Sequence, residues 1–246
     1  MSIFFINILI RKMLNLLYYL YDPTYMLVII GIVLSMLANA SLRFIYSKYL
    51  KVPSMSGIRG VDAALAILRN NGIYDVQVLP INGELTDNYN PVSKTVNLSE
   101  GIYYSTSIAA ISVAAHECGH AIQHNSEYLP LTLRTAVVPL ASISGALSWP
   151  LIVIGFLLSK AGTFFIQLGI FMFLIVVLFQ IITLPVEYDA SARALKQLKS
   201  GGIIQDNEIK GAKKVLDAAA LTYVAVAVAN ALQLLRLMLL SRSRRG

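Results

Sequence analysis

Long uncharged apolar runs alternate with polar stretches along this chain, and the runs set its architecture. Tyr25 to Leu42 reads YMLVIIGIVLSMLANASL, Ala136 to Leu158 reads AVVPLASISGALSWPLIVIGFLL, and Gly162 to Leu184 reads GTFFIQLGIFMFLIVVLFQIITL, all without a charge. A fourth run, Ala218 to Leu240, carries a single arginine near its end. About 20 apolar residues in a helix cross roughly 30 Å of hydrocarbon, a length these runs meet or approach. The pattern predicts a transmembrane helix over 25–42, a transmembrane hairpin over 136–184, and a C-terminal apolar helix with a basic tail over 218–246. Pro139, Pro150, Gly145 and Gly155 predict a kink in the second run, which neighbouring helices can tolerate. Residues 1–24 form an N-terminal extension. Its opening, MSIFFINILIRKML, has its charges after the short apolar run and no small-residue cleavage site, so it reads as an interfacial or partly inserted segment rather than a signal peptide.

Two polar regions remain, 43–135 and 185–217. Within the first, SGIRGVDAALAILRN (56–70) has Val61, Ala64, Leu65 and Leu68 at helical spacing and is stopped by Asn71-Gly72. DVQVLPI reads as a strand, NGELTDNYNPVSK as a turn-rich connection, and TVNLSE as a second strand. SIAAISVAAHECGHAIQHN is helix-forming throughout, with Asn125 as its stop. The expected fold class is therefore mainly α: a multi-pass transmembrane helical protein with a small β element.

Composition agrees with this pattern. The chain is 57% hydrophobic and only 13% charged, where a soluble domain averages about one-quarter charged residues. The net charge of +7 does not mark a nucleic-acid binder, because the basic residues flank apolar runs and no recognised module accompanies them. Of the 20 lysines and arginines, thirteen fall in 43–135 and 185–217, which puts both regions in the cytoplasm. The basic tail SRSRRG opposes that orientation if the fourth run crosses. With a single cysteine, Cys118, no intrachain disulfide can form.

The candidate chemistry lies in HECGH, 116–120, a His-Glu-x-x-His pattern in a chain with three histidines in all. On a helix, His116 and His120 project from one face a turn apart and can grip one zinc ion. Glu117 sits beside the first of them, placed to take a proton from a metal-activated water without ligating the metal. His124 lies about 12 Å from His116 along a helix axis, too far to share an ion, and no glycine turn follows His120. His124 is either a supporting or substrate-side residue or a helix-end histidine. The third ligand is expected at Glu187, in PVEYDASARAL, where Pro185 marks the exit from the third apolar run. Two crossings separate it from the histidines, so both return to one membrane face. Glu187, Ala190, Ser191 and Ala194 would share a helix face of small side chains, allowing close approach to the histidine helix. A glutamate merely favouring a helix N-terminus is the plainer alternative.

At these residues the chain resembles the membrane-bound neutral zinc metallopeptidases of the YugP type, a bacterial family related to the gluzincins. The likeness runs through YDPTY, KVPSMSGIRG, GELTDNYNP, VNLSEGIYYSTSIAAISVAAHECGHAIQH, PVEYDASARAL and AALTYVAVA. It implies one Zn2+ on His116, His120 and Glu187, Glu117 as catalytic acid/base, a peptide or protein substrate, and a site in a bacterial plasma membrane. Many gluzincins carry an aspartate four residues after the glutamate ligand; here that position is Ser191, while Asp189 lies two residues after Glu187. In similar enzymes the strand before the active helix, here TVNLSE, pairs with an extended substrate. Tyr223, in the fourth apolar run, is the candidate oxyanion stabiliser, or else an interfacial tyrosine. Two other functions compete with the zinc endopeptidase. One is a site-two-type intramembrane protease, which would need an Asn-Pro-Asp-Gly-like segment that is absent here. The other is a non-catalytic membrane scaffold stapled by zinc.

Overall fold

The computed structural model describes residues 22–158 and 162–243, so the expectations for residues 1–14 and for the basic tail beyond Ser243 lie outside it. The element order is α1 (Tyr25–Leu50), α2 (Gly60–Asn70), β1 (Gln77–Ile81), β2 (Asn88–Asn90), β3 (Thr95–Ser99), α3 (Glu100–Tyr103), α4 (Ile108–Asn125), α5 (Leu129–Leu157), α6 (Gly162–Ser200) and α7 (Asp206–Ser243). The protein is mainly helical, with one small sheet. Four helices, α1, α5, α6 and α7, are long and apolar enough to cross a membrane.

Those four helices invert the usual distribution of apolar side chains. Met36, Leu37, Ile143, Leu157, Phe164 and Phe171 are exposed, as lipid-facing residues would be. Small residues bring the helices together instead. A methyl group on Gly169 of α6 would meet the Ser148 carbonyl of α5 at 2.8 Å, the close backbone approach typical of helix pairs in lipid. Helix α5 runs continuously through Pro139 and Pro150.

The helices also extend beyond the uncharged runs. Pro185 does not end the third one: α6 continues through it for another fifteen residues, to Ser200, as part of a 39-residue helix. A proline in a helix forfeits one backbone hydrogen bond, and the packing of the following turns against α4 holds the helix together. Glu187 therefore lies deep within a helix, which removes the helix-N-terminus alternative.

The polar residues assemble a second body on one end of this bundle. Its core joins Val61, Ala64, Ile67 and Leu68 of α2, Val96 and Leu98 of β3, and Ile111, Ala115 and Cys118 of α4. Leu198 of α6 and Val215 and Leu216 of α7 belong to the same cluster, so the membrane helices run directly into this core. The amphipathic segment starts at Gly60 rather than residue 56; Asn71 caps its end and Gly72 takes φ +69°, a left-handed turn that glycine adopts freely.

Sheet order corrects one expectation. The stretch between the two foreseen strands contains β2, so β3 is the central strand: it pairs in parallel with β1 and antiparallel with β2. Both of its edges are taken, and TVNLSE cannot receive an extended substrate. The outer strands are β1 and β2, and the three residues of β2 were too short to show an alternating pattern.

The loop after α1 is pinned to the start of α7 by Glu208. Its carboxylate accepts from Met55 N at 2.8 Å, Ser54 Oγ at 3.2 Å and Gln205 N at 2.9 Å. Replacing Glu208 with alanine strands these donors at a cost of about 1–3 kcal/mol. The variant should melt at a lower temperature in detergent while keeping its far-UV circular dichroism at low temperature.

Candidate metal centre

Helix α4 begins with Ser107, whose side chain accepts from Ala110 N, and runs unbroken to Asn125. His116 and His120 therefore stand one turn apart, their ring centroids separated by 4.8 Å at an interplanar angle of 82°. Opposite them, α6 presents Glu187, 2% exposed. Its Oε2 lies 3.3 Å from His116 Nε2 and 3.6 Å from His120 Nε2. The donor atoms of the three side chains all lie within 4.8 Å of one another, the one such cluster of three or more His, Cys, Asp or Glu among the described residues.

These residues fit a zinc ion. Donors bonded at 2.0–2.1 Å around a tetrahedral zinc stand about 3.3–3.4 Å apart, close to the separations seen. Glu187 Oε2 is buried and receives no hydrogen bond, an expensive state for a carboxylate that a shared cation relieves. Three protein donors leave a fourth position for water or substrate.

The helices can approach this closely because of Gly119. A methyl group there would meet the carbonyl oxygen of Ala190 at 2.5 Å and its Cα at 3.1 Å, so the α4 and α6 backbones touch between the two histidines. The expected small face of α6 is present: Ala190, Ser191 and Ala194 are all buried.

Outer hydrogen bonds set the imidazoles. Gln123, fully buried, donates from Nε2 to Val186 O and to Asp189 Oδ2, both at 2.8 Å. Its Oε1 is thus left to accept from His120 Nδ1 at 3.0 Å, which directs the Nε2 lone pair of His120 toward Glu187. Asp189 in turn pairs with Arg193 at 2.6 Å. Ser191 Oγ lies 3.2 Å from His116 Nδ1. The open choice between Asp189 and Ser191 dissolves: each serves a different histidine, one through Gln123 and one directly. Sequence reasoning missed Gln123, although its place one turn after His120, on the histidine-bearing helix, was a signal.

Glu117, beside the cluster, is 8% exposed. Burial pushes its carboxyl above the ordinary range, while His116 and His120 pull it back. Tyr223 of α7 lines the same cavity, a space of about 880 Å³ whose walls also include Asp87, Asn88, Tyr89, Arg134 and Glu127. Burial also raises Asp87, whose carboxylate receives Ser99 N at 2.7 Å. His124 stays outside the donor cluster and pairs through Nδ1 with the Tyr89 hydroxyl at 2.7 Å, tying the end of α4 to β2. Cys118 points the other way, its Sγ 3.6 Å from Ala64 O in the core, where burial raises the thiol.

Residues 24–242 match the model of the family described as "Putative neutral zinc metallopeptidase". The chain belongs to this family. It is 45% identical over 214 residues to the "Putative membrane protease YugP" of Bacillus subtilis, covering 87% of this chain and 94% of that protein. No solved structure matches it.

Two substitutions test the centre without touching a donor. Gly119→Val should force α4 from α6 and drop bound zinc well below one ion per chain, measured by mass spectrometry of the purified protein. Gln123→Leu should weaken zinc affinity by about 10–100-fold in a competition with a chelating dye, because His120 loses its orienting partner.

Proposed function

We propose that this chain is a membrane-embedded zinc endopeptidase that cleaves peptide bonds at the cytoplasmic surface of a bacterial plasma membrane, with one ion on His116, His120 and Glu187. The observation that carries this reading is the buried, donorless Glu187 oxygen facing two imidazole nitrogens at 3.3 and 3.6 Å. Zinc bound there supplies Lewis acidity, polarising the scissile carbonyl and lowering the pKa of a water to about 7.

The remaining steps belong to the chain. Glu117 takes a proton from the attacking water as its oxygen bonds to the carbonyl carbon, and passes that proton to the amine nitrogen as the C–N bond breaks. The Tyr223 hydroxyl, which lines the same cavity beside Glu187, donates to the oxygen that gains charge. The backbone edge of β2, held by the Tyr89–His124 bond, lies along the same cavity and offers main-chain groups to an extended peptide.

Orientation follows from charge. The regions 43–135 and 185–217, with thirteen of the 20 lysines and arginines, lie at the helix ends that carry the cluster; Arg236 and Arg242 lie near the far end of α7. The proposed membrane segments are 25–42, 136–184 and 218–240. A site-two-type enzyme is disfavoured because α4 is not among the four helices able to cross a membrane. A zinc-stapled scaffold is disfavoured because no fourth His, Cys, Asp or Glu joins the cluster among the described residues.

The test uses purified full-length protein in detergent and a peptide library. Glu117→Gln should keep its zinc and lose about 10²–10⁴-fold in cleavage rate; cleavage undiminished in that variant sinks the general-base role. Chelation should abolish cleavage and added zinc restore it. Tyr223→Phe should lower kcat by about 10²-fold with KM little changed.

A further inference from the structure

One wall of the cleft has no part in the chemistry above. It is formed by the first turns of α5, where Leu131, Arg134 and Thr135 share a helix face and line the same space as Glu117 and Tyr223. Arg134 is the only lysine or arginine among the lining residues. Its Nε is buried without a hydrogen-bond partner, and among the described residues no carboxylate comes within ion-pair distance of it.

Four carboxylates line the cleft with it, Asp87, Glu117, Glu127 and Glu187, and none of them pairs with the guanidinium. Glu187 addresses the imidazoles, Asp87 is held by Ser99, and Asp189 is paired with Arg193. Arginine cannot shed its charge, and its fork of donors matches the two oxygens of a carboxylate. An unpaired guanidinium lining a cleft is thus prepared for an incoming anion. Its position argues against a lipid phosphate as that anion: the outward flank of α5 is marked by the exposed Leu133 and Leu140, whereas Arg134 turns to the cavity.

We infer that Arg134 is a carboxylate receptor in this cleft, so that the preferred substrates are peptides presenting either a free C-terminal carboxylate or an Asp or Glu side chain to the α5 wall. The inference takes its substrate class, peptides, from the endopeptidase reading. It makes Arg134 a specificity-determining residue that touches substrate and takes no part in bond cleavage. Its loss removes a preference between peptides rather than the ability to cut.

The experiment measures binding and cleavage separately, on full-length protein in detergent. Binding of fluorescein-labelled peptides is followed by anisotropy after zinc has been chelated, so catalysis plays no part. One pair of peptides differs only in a C-terminal carboxylate or amide; others differ in Glu or Gln at each position flanking the bond cut in the library. Wild type should bind one carboxylate member about ten- to a hundredfold more tightly than its neutral partner, as one charge-assisted pair predicts. Arg134→Gln should bring that ratio near one without weakening the neutral peptide, and Arg134→Lys should retain part of it. The pair that responds names the source of the carboxylate.

No carboxylate preference in the wild type, or one that survives Arg134→Gln, overturns the inference. Equal weakening of both members of every pair also overturns it, and assigns Arg134 to lipid or to structure. If Arg134→Gln does not fold, the Arg134→Lys ratio decides. An Arg134-dependent preference in binding, with no cleavage after zinc is restored, leaves the receptor standing and defeats the endopeptidase reading instead.

Discussion

A carboxylate at 2% exposure beside two imidazoles is a state that water would abolish and that the fold must enforce. Taking a charge out of water costs several kcal/mol unless it is compensated. Here the compensation comes from a different helix, so α4 and α6 must be held in register to within a fraction of an ångström. Gly119 lets the two backbones touch, and the Gln123–Asp189–Arg193 chain locks the rotation of each helix relative to the other. The polar core, the small sheet and the α7 anchor all serve to keep that one contact in place.

The molecule solves two solvation problems with the same helices. Toward the far end of the bundle, α1, α5, α6 and α7 expose apolar side chains and pack through glycine, alanine and serine. Toward the centre, α6 and α7 bury Leu198, Val215 and Leu216 in a conventional core with α2 and β3. No hinge or linker separates the two regimes within a helix. Glu187 is consequently continuous in one helix with the membrane portion, while the histidines, some seventy residues away in sequence, reach it through the packing of α4 on α6.

Much of this was legible in the residues because the signals were periodic or chemically rare. Uncharged runs announced the crossing helices, and the His-Glu-x-x-His pattern pointed to the candidate centre. The resemblance carried by the extended motifs led to the zinc metallopeptidase family to which the chain belongs. What escaped was what depends on tertiary contact. Pro185 looked like a terminator, since a local rule cannot see the packing that carries α6 through it. The three residues of β2 held too little pattern to mark a strand, so β3 was given an edge it does not have. Gln123 was passed over because its value lies in reaching Val186 and Asp189 across a helix interface. Asp189 and Ser191 looked like rivals, when each supports a different imidazole.

The unbroken course of α6 from Gly162 to Ser200 has a geometric consequence. Leu184 closes the uncharged run and Glu187 follows three residues later, a rise of about 4.5 Å along the axis. With the proposed membrane segment ending at Leu184, the carboxylate would ride at a set height just above the hydrocarbon boundary, tied to it by an unbroken helix. A peptide cleaved by the proposed reaction would then offer its backbone within that shallow layer, with the helix as a ruler measured from the lipid. On that reading bilayer thickness becomes a variable for the centre, because a thicker or thinner membrane would tilt the ruler and shift the height at which a peptide is met.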